Sequence, residues 1–131
     1  MNAEEALNRV RELVDATLTE VAPNAKLTPD SVAGGVPCEN SLTGHTGQNV
    51  YDYGFSFPAP DEATGERLVR EAARFWNKRG HKVRGVPDDP SSPVIFTGED
   101  GFNYQFIFAR RTLSVSVGGS TPCVDPLPGD V

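Results

Sequence analysis

His45 is the residue whose type and setting come nearest to a chemical group on a mobile support. It lies in Thr43-Gly44-His45-Thr46-Gly47. An imidazole there could serve as a general base or a metal ligand, together with loop acids such as Glu39. The plainer reading, a solvated loop histidine, is preferred. The second histidine, His81, follows Gly80 and reads as a surface residue near a helix C-terminus, where positive charge is favoured. Two isolated histidines match no zinc spacing. Ser41, Ser91, Ser92, Ser114, Ser116 and Ser120 are available as nucleophiles, yet none stands in a Gly-x-Ser-x-Gly elbow. The acidic pairs Asp88-Asp89 and Glu99-Asp100 lack EF-hand spacing and sit among turn formers. Gly44 to Gly47 is too short for a phosphate loop and has no lysine. The sequence therefore offers no convergent catalytic set, no metal centre and no cofactor motif.

The cysteines carry different chemistry. Cys38 and Cys123 are the only two, they lie 85 positions apart, and each follows a proline. That separation excludes a local Cys-x-x-Cys redox or zinc motif. Both flank the periodic strands instead of falling within them, which suits a clasp joining the two ends of a domain in an oxidising compartment. The alternative is a pair of free thiols in a reducing one.

Aromatic residues alternate in two stripes, Tyr51/Tyr53/Phe55/Phe57 and Phe102/Tyr104/Phe106/Phe108. Such stripes could line a lipid or glycan pocket, with Tyr51 and Tyr53 as binding residues. Packing in a core is the commoner use. The basic stripe Arg67, Arg70, Arg74, Lys78 is that of a solvated helix face.

The elements that must position these groups follow from periodicity. Ala3, Leu7, Val10, Val14, Thr17 and Val21 recur at helical spacing, so a helix is expected from Ala3 to Val21, ended by Pro23. Residues 22–47, rich in glycine and proline, read as a long connector. A strand is expected from Asn49 to Phe57. A second helix runs from Glu62 to Arg79, capped by Asp61 and closed by Gly80. Strands follow at His81 to Val86, Val94 to Thr97, Phe102 to Ala109 and Thr112 to Val117, with a Pro-Asp-Asp-Pro turn at residues 87–90. The tail 124–131 is expected to fray. The expectation is α+β: order α-β-α-β-β-β, a mostly antiparallel sheet of about four or five strands, both helices on its aromatic face, and one domain over residues 1–131.

A net charge of −6 argues against nucleic acid as a partner and against adhesion to anionic lipid by charge alone. No apolar run approaches the roughly 18 residues of a membrane span. Met1-Asn-Ala-Glu-Glu has neither the basic nor the apolar region of a signal peptide, so the chain reads as cytosolic or as following a leader upstream.

Pro37-Cys38-Glu39, then Phe75-Trp76-Asn77-Lys78-Arg79-Gly80-His81-Lys82-Val83, Asp100-Gly101-Phe102 and Ser120-Thr121-Pro122-Cys123 occur in this order. Together they resemble the small secreted or lipoprotein ectodomains of actinobacteria, over about residues 4–124. The resemblance implies an envelope location, an upstream leader with a lipid-modified cysteine, and a Cys38–Cys123 bond. It brings no activity and no catalytic residues. The expected function is a monomeric, non-catalytic, extracytoplasmic module that binds an envelope protein, glycan or lipid. The alternatives are an enzyme or metal-dependent site around His45, and a mobile-element-encoded surface protein.

Overall fold

The computed structural model of the chain describes residues 1–30, 34–40, 44–85 and 94–130, and the backbone alone at Asn40 and His45. Helix α1 spans Ala3–Val21. Asn2 caps it: its side-chain oxygen accepts from the Glu5 amide at 2.9 Å, satisfying one orphan donor of the first turn, and its Nδ2 donates to Glu5 Oε1 at 3.1 Å. The buried stripe is wider than expected, adding Ala6, Leu13 and Leu18 to Ala3, Val10, Val14, Thr17 and Val21. The helix lies in a corner between the sheet and the second helix, so two of its flanks are covered.

Helix α2, Glu62–Lys78, opens on Asp61, whose carboxylate accepts from the Thr64 amide at 2.7 Å. Hydrogen bonding from the Thr64 side chain, and then this amide bond, hold the Asp61 carboxyl below its ordinary pKa. Gly80 follows with φ +88°, the left-handed conformation that glycine adopts without strain. Leu68, Val69, Ala72, Ala73 and Trp76 are buried, while Phe75 is half-buried beneath the Arg79 guanidinium.

The strands are β1 (Thr28–Pro29), β2 (Val36–Asn40), β3 (Gly44–Val50), β4 (Asp52–Pro58), β5 (Arg84–Gly85), β6 (Val94–Glu99), β7 (Phe102–Ala109) and β8 (Ser114–Ser120). Six of them form one antiparallel sheet in the order β1-β4-β8-β7-β6-β5, and β2 and β3 form a separate hairpin. The class is α+β, with α1 against β4 and β8, and α2 against β6 and β7. Between them lie Trp76, Ile95, Phe106, Phe108, Val115 and Val117, all almost fully buried. Thr17 joins the two helices: its hydroxyl donates to Leu13 O at 2.7 Å and accepts from Trp76 Nε1 at 2.9 Å. On β8, a Cβ at Gly119 would stand 2.6 Å from the Tyr104 ring and 2.9 Å from Val10 Cγ1, so glycine lets α1 settle onto the sheet.

Several expected elements differ in extent. The sheet is wider than four or five strands because each edge carries a two-residue strand, too short to show alternation. The strand expected over Asn49 to Phe57 is two strands: β3 pairs with β2, and β4 pairs with β8. The chain changes partner at Tyr51. Part of the expected connector 22–47 is strand, namely β1, β2 and the first half of β3. This hairpin buries little on either face, so it carries no apolar period to read. Of the strand expected over His81 to Val86, Arg84–Gly85 pairs with β6; Val86 and the turn at 87–90 lie outside the described residues. Strand β8 starts and ends later than expected, running on through Gly118 and Gly119. The tail is held over Val124–Asp130. Asn49 and Val124 exchange backbone hydrogen bonds of 2.8 and 2.9 Å, and Leu127 and Asp130 both bond the Tyr51 hydroxyl.

Candidate functional site: the helix-free face of the sheet

Directly paired residues in a sheet stand on the same face, so the register lists what each face carries. One row crosses five of the strands, and reaches the residue that follows β1, on the side away from the helices. Asp30, just past β1, donates its amide to Gly54 O at 3.0 Å. Gly54 pairs with Gly118, Gly118 with Gln105, Gln105 with Phe96, and Phe96 with Arg84. The row therefore begins with a carboxylate, ends with a guanidinium, and has no side chain at two adjacent central positions. A Cβ on Gly54 would lie 2.7 Å from Val117 O, and one on Gly118 would lie 3.2 Å from Tyr53 O. The two backbones approach too closely there for a larger residue at Gly54, and the result is a gap in the side-chain layer.

The neighbouring rows close that gap with polar groups. Asp52 pairs with Ser120 and Ser120 with Asn103 on one side; Ser56 pairs with Ser116 on the other. The Ser120 hydroxyl donates to the Asp52 carboxylate. The recess so formed holds about 360 Å³ and is lined by Asp30, Asp52, Asn103, Gln105, Ser116 and Ser120 over the glycine floor, with Phe96 at one end. This lies near the lower limit of ordinary small-ligand pockets, about 300 to 1,000 Å³. Phe96 is 38% exposed, and the Arg84 guanidinium carbon sits 4.4 Å from its ring centroid. Among the described residues, no three His, Cys, Asp or Glu side chains gather as a metal site.

Of the candidate site residues singled out in the sequence, Ser116, Ser120 and part of Tyr53 line this recess; the others lie elsewhere. Cys38, in β2, is bonded to Cys123 with a Cα–Cα distance of 6.2 Å, fastening the hairpin to the segment after β8. Glu39 is exposed and pairs with His45 across the hairpin. The side chain of His45 lies outside the described residues. Tyr51 is 3% exposed. Its hydroxyl donates to Asp130 Oδ2 at 2.8 Å and accepts from the Leu127 amide at 2.8 Å. Tyr53 points toward α1, donating to Asp15 Oδ1 at 2.7 Å, with Arg11 over its ring. His81 Nδ1 stands 3.5 Å from Glu99 Oε1. The structure thus brings Glu39 and His45 to one hairpin and separates both from the two tyrosines. The recess residues carried a faint signal in the sequence: the polar half of each alternation, Asp52-Gly54-Ser56 and Asn103-Gln105.

Burial first, and then the hydrogen bond to Asp15, push the Tyr53 phenol from 10.0 up to about 12. A raised pKa favours the folded state below the unfolded value, and that stability is lost as pH rises from about 10 through about 12. Burial moves Tyr104 the same way, so the useful comparison is with Tyr53→Phe. The melting temperature of the parent should fall more steeply across this window than that of the variant. Parallel curves would mean that the Tyr53–Asp15 bond contributes nothing.

No family model and no curated protein matches the chain. Among solved structures it is similar to the crystal structure of the extracellular domain of PknH from Mycobacterium tuberculosis, at 13% identity, over 92% of this chain and 87% of that one, with a TM-score of 0.34. A likeness at this level says nothing of function.

Proposed function

We propose that this chain is an extracytoplasmic binding domain, secreted or lipid-anchored at the cell envelope, that receives a small polar ligand in the recess on the helix-free face and does no chemistry on it. The recess carries the reading: two facing glycines leave a gap in the side-chain layer, and hydroxyl, amide and carboxylate groups surround it. The compartment rests on the Cys38–Cys123 bond, since such bonds persist where thiols are not kept reduced. Among the described residues lining the recess, Asp30 and Asp52 stand without a histidine, cysteine or lysine beside them, a set that can hold a ligand but offers no activated nucleophile.

A thermal-shift screen of chemically diverse small polar compounds tests this, using the parent and Gln105→Trp, whose indole would cover the gap from an exposed position. A ligand at a hundredfold excess over its Kd stabilises by about 2.7 kcal/mol, on the order of 10 °C here. The expected result is a rise for the parent that the variant lacks. Equal rises in both would place binding elsewhere and overturn the proposal.

A further inference from the structure

The chemistry of the rim narrows the ligand class, an inference that rests on the preceding reading. We propose that the recess takes a neutral saccharide. The floor has no free hydrogen-bonding groups to offer, because Gly54 and Gly118 lie within laddered strands. Recognition therefore falls to the rim. Asn103, Gln105, Ser116 and Ser120 are neutral groups that both donate and accept, as sugar hydroxyls do. Asp30 and Asp52 add acceptors only, and Asp52 is already oriented by the Ser120 hydroxyl.

Phe96 supplies the remaining element. It follows Gln105 on the glycine row, so its ring borders the recess. An exposed ring beside a cluster of hydroxyl-binding groups suits a pyranose, which has an apolar C–H face and a polar perimeter. The Arg84 guanidinium lies over that ring.

Other ligand classes fit this face less well. Two carboxylates on the rim repel an anion. The scattered apolar residues of the face, Phe96, Ile107 and Val94, form no continuous surface for a lipid chain. A peptide binding as an added strand needs a long free edge, and both edges of this sheet are two-residue strands, one containing Pro29.

The test is an amide-resolved NMR titration of the intact, oxidised chain at millimolar ligand. The probes are neutral oligosaccharides of glucose, mannose, galactose and N-acetylglucosamine, beside free amino acids, short peptides and inorganic cations. At least one neutral saccharide should shift the amides of Asn103, Gln105, Gly118 and Ser120. Phe96→Ala should weaken that saccharide about tenfold, Phe96→Tyr should retain it, and neither should change the melting temperature appreciably. If amino acids, peptides or cations shift these amides and no saccharide does, the saccharide class is wrong while the recess stands as a binding site. If no probe of any class shifts them, the saccharide proposal falls together with the binding reading beneath it.

Discussion

Reducing the Cys38–Cys123 bond, or replacing both cysteines with serine, should lower stability by about 4 to 5 kcal/mol. The bond spans 85 positions, and closing so long a loop removes much of the freedom of the unfolded chain. The segments it joins have modest holds of their own. The β2–β3 hairpin lies outside the main sheet, and its described links to the segment after β8 include the Asn49–Val124 bridge and the Thr121 hydroxyl, which accepts from the Tyr51 amide at 3.0 Å. Urea unfolding with and without reductant reads the effect directly. The reduced chain should unfold at a lower midpoint and with a steeper dependence on urea, because its unfolded state is more expanded. Coincident curves would show that the bond does not restrain the fold.

Trp76→Ala should cost about 3 to 5 kcal/mol. The ring is 1% exposed, in the layer between α2, α1 and the sheet. Its removal leaves a large cavity and strips Thr17 of the indole donor at 2.9 Å. Thr17 is itself fully buried, so its hydroxyl loses an acceptor bond in the core while keeping its own donation to Leu13 O. Trp76→Phe keeps part of the volume and loses the hydrogen bond, and should fall between the parent and the alanine variant. A double-mutant cycle with Thr17→Val separates the two contributions. An unchanged melting temperature for Trp76→Ala would contradict the packing described here.

How far the sequence revealed this arrangement depended on how much each element buries on one side. The helices were legible because apolar residues such as Val10 and Val14, or Val69 and Ala72, repeat along their inner faces while Asp61 and Gly80 mark the ends of α2. Strands β4 and β7 were legible from their aromatic alternation. The clasp was legible because both cysteines lie outside the periodic stretches. The β2–β3 hairpin was hidden because backbone pairing, not a buried face, defines it. Edge strands Thr28–Pro29 and Arg84–Gly85 were hidden by their length. The later extent of β8 was obscured by Gly118 and Gly119, which are poor strand formers; the Tyr104 ring leaves no room for a side chain at Gly119, and the Tyr53 carbonyl crowds one at Gly118.

The candidate site was the least legible part, for a related reason. Reactive and aromatic residue types in the sequence point to His45, Glu39, Tyr51 and Tyr53. The recess is made by an absence of side chains at Gly54 and Gly118. Those two residues are 64 positions apart, and only the β4–β8 register sets them side by side. Asp30 joins them through one backbone hydrogen bond to Gly54. The polar half of each alternation could be read as a solvent-facing layer, but not as the rim of a cavity.

A crystallographic soak of the oxidised chain with a mixture of small polar compounds bears most directly on the recess. Bound density is expected over the Gly54–Gly118 pair, in contact with Gln105 and Ser120. Density gathered on the outer face of α2 or along the β2–β3 hairpin, with the glycine gap holding only solvent, would contradict it.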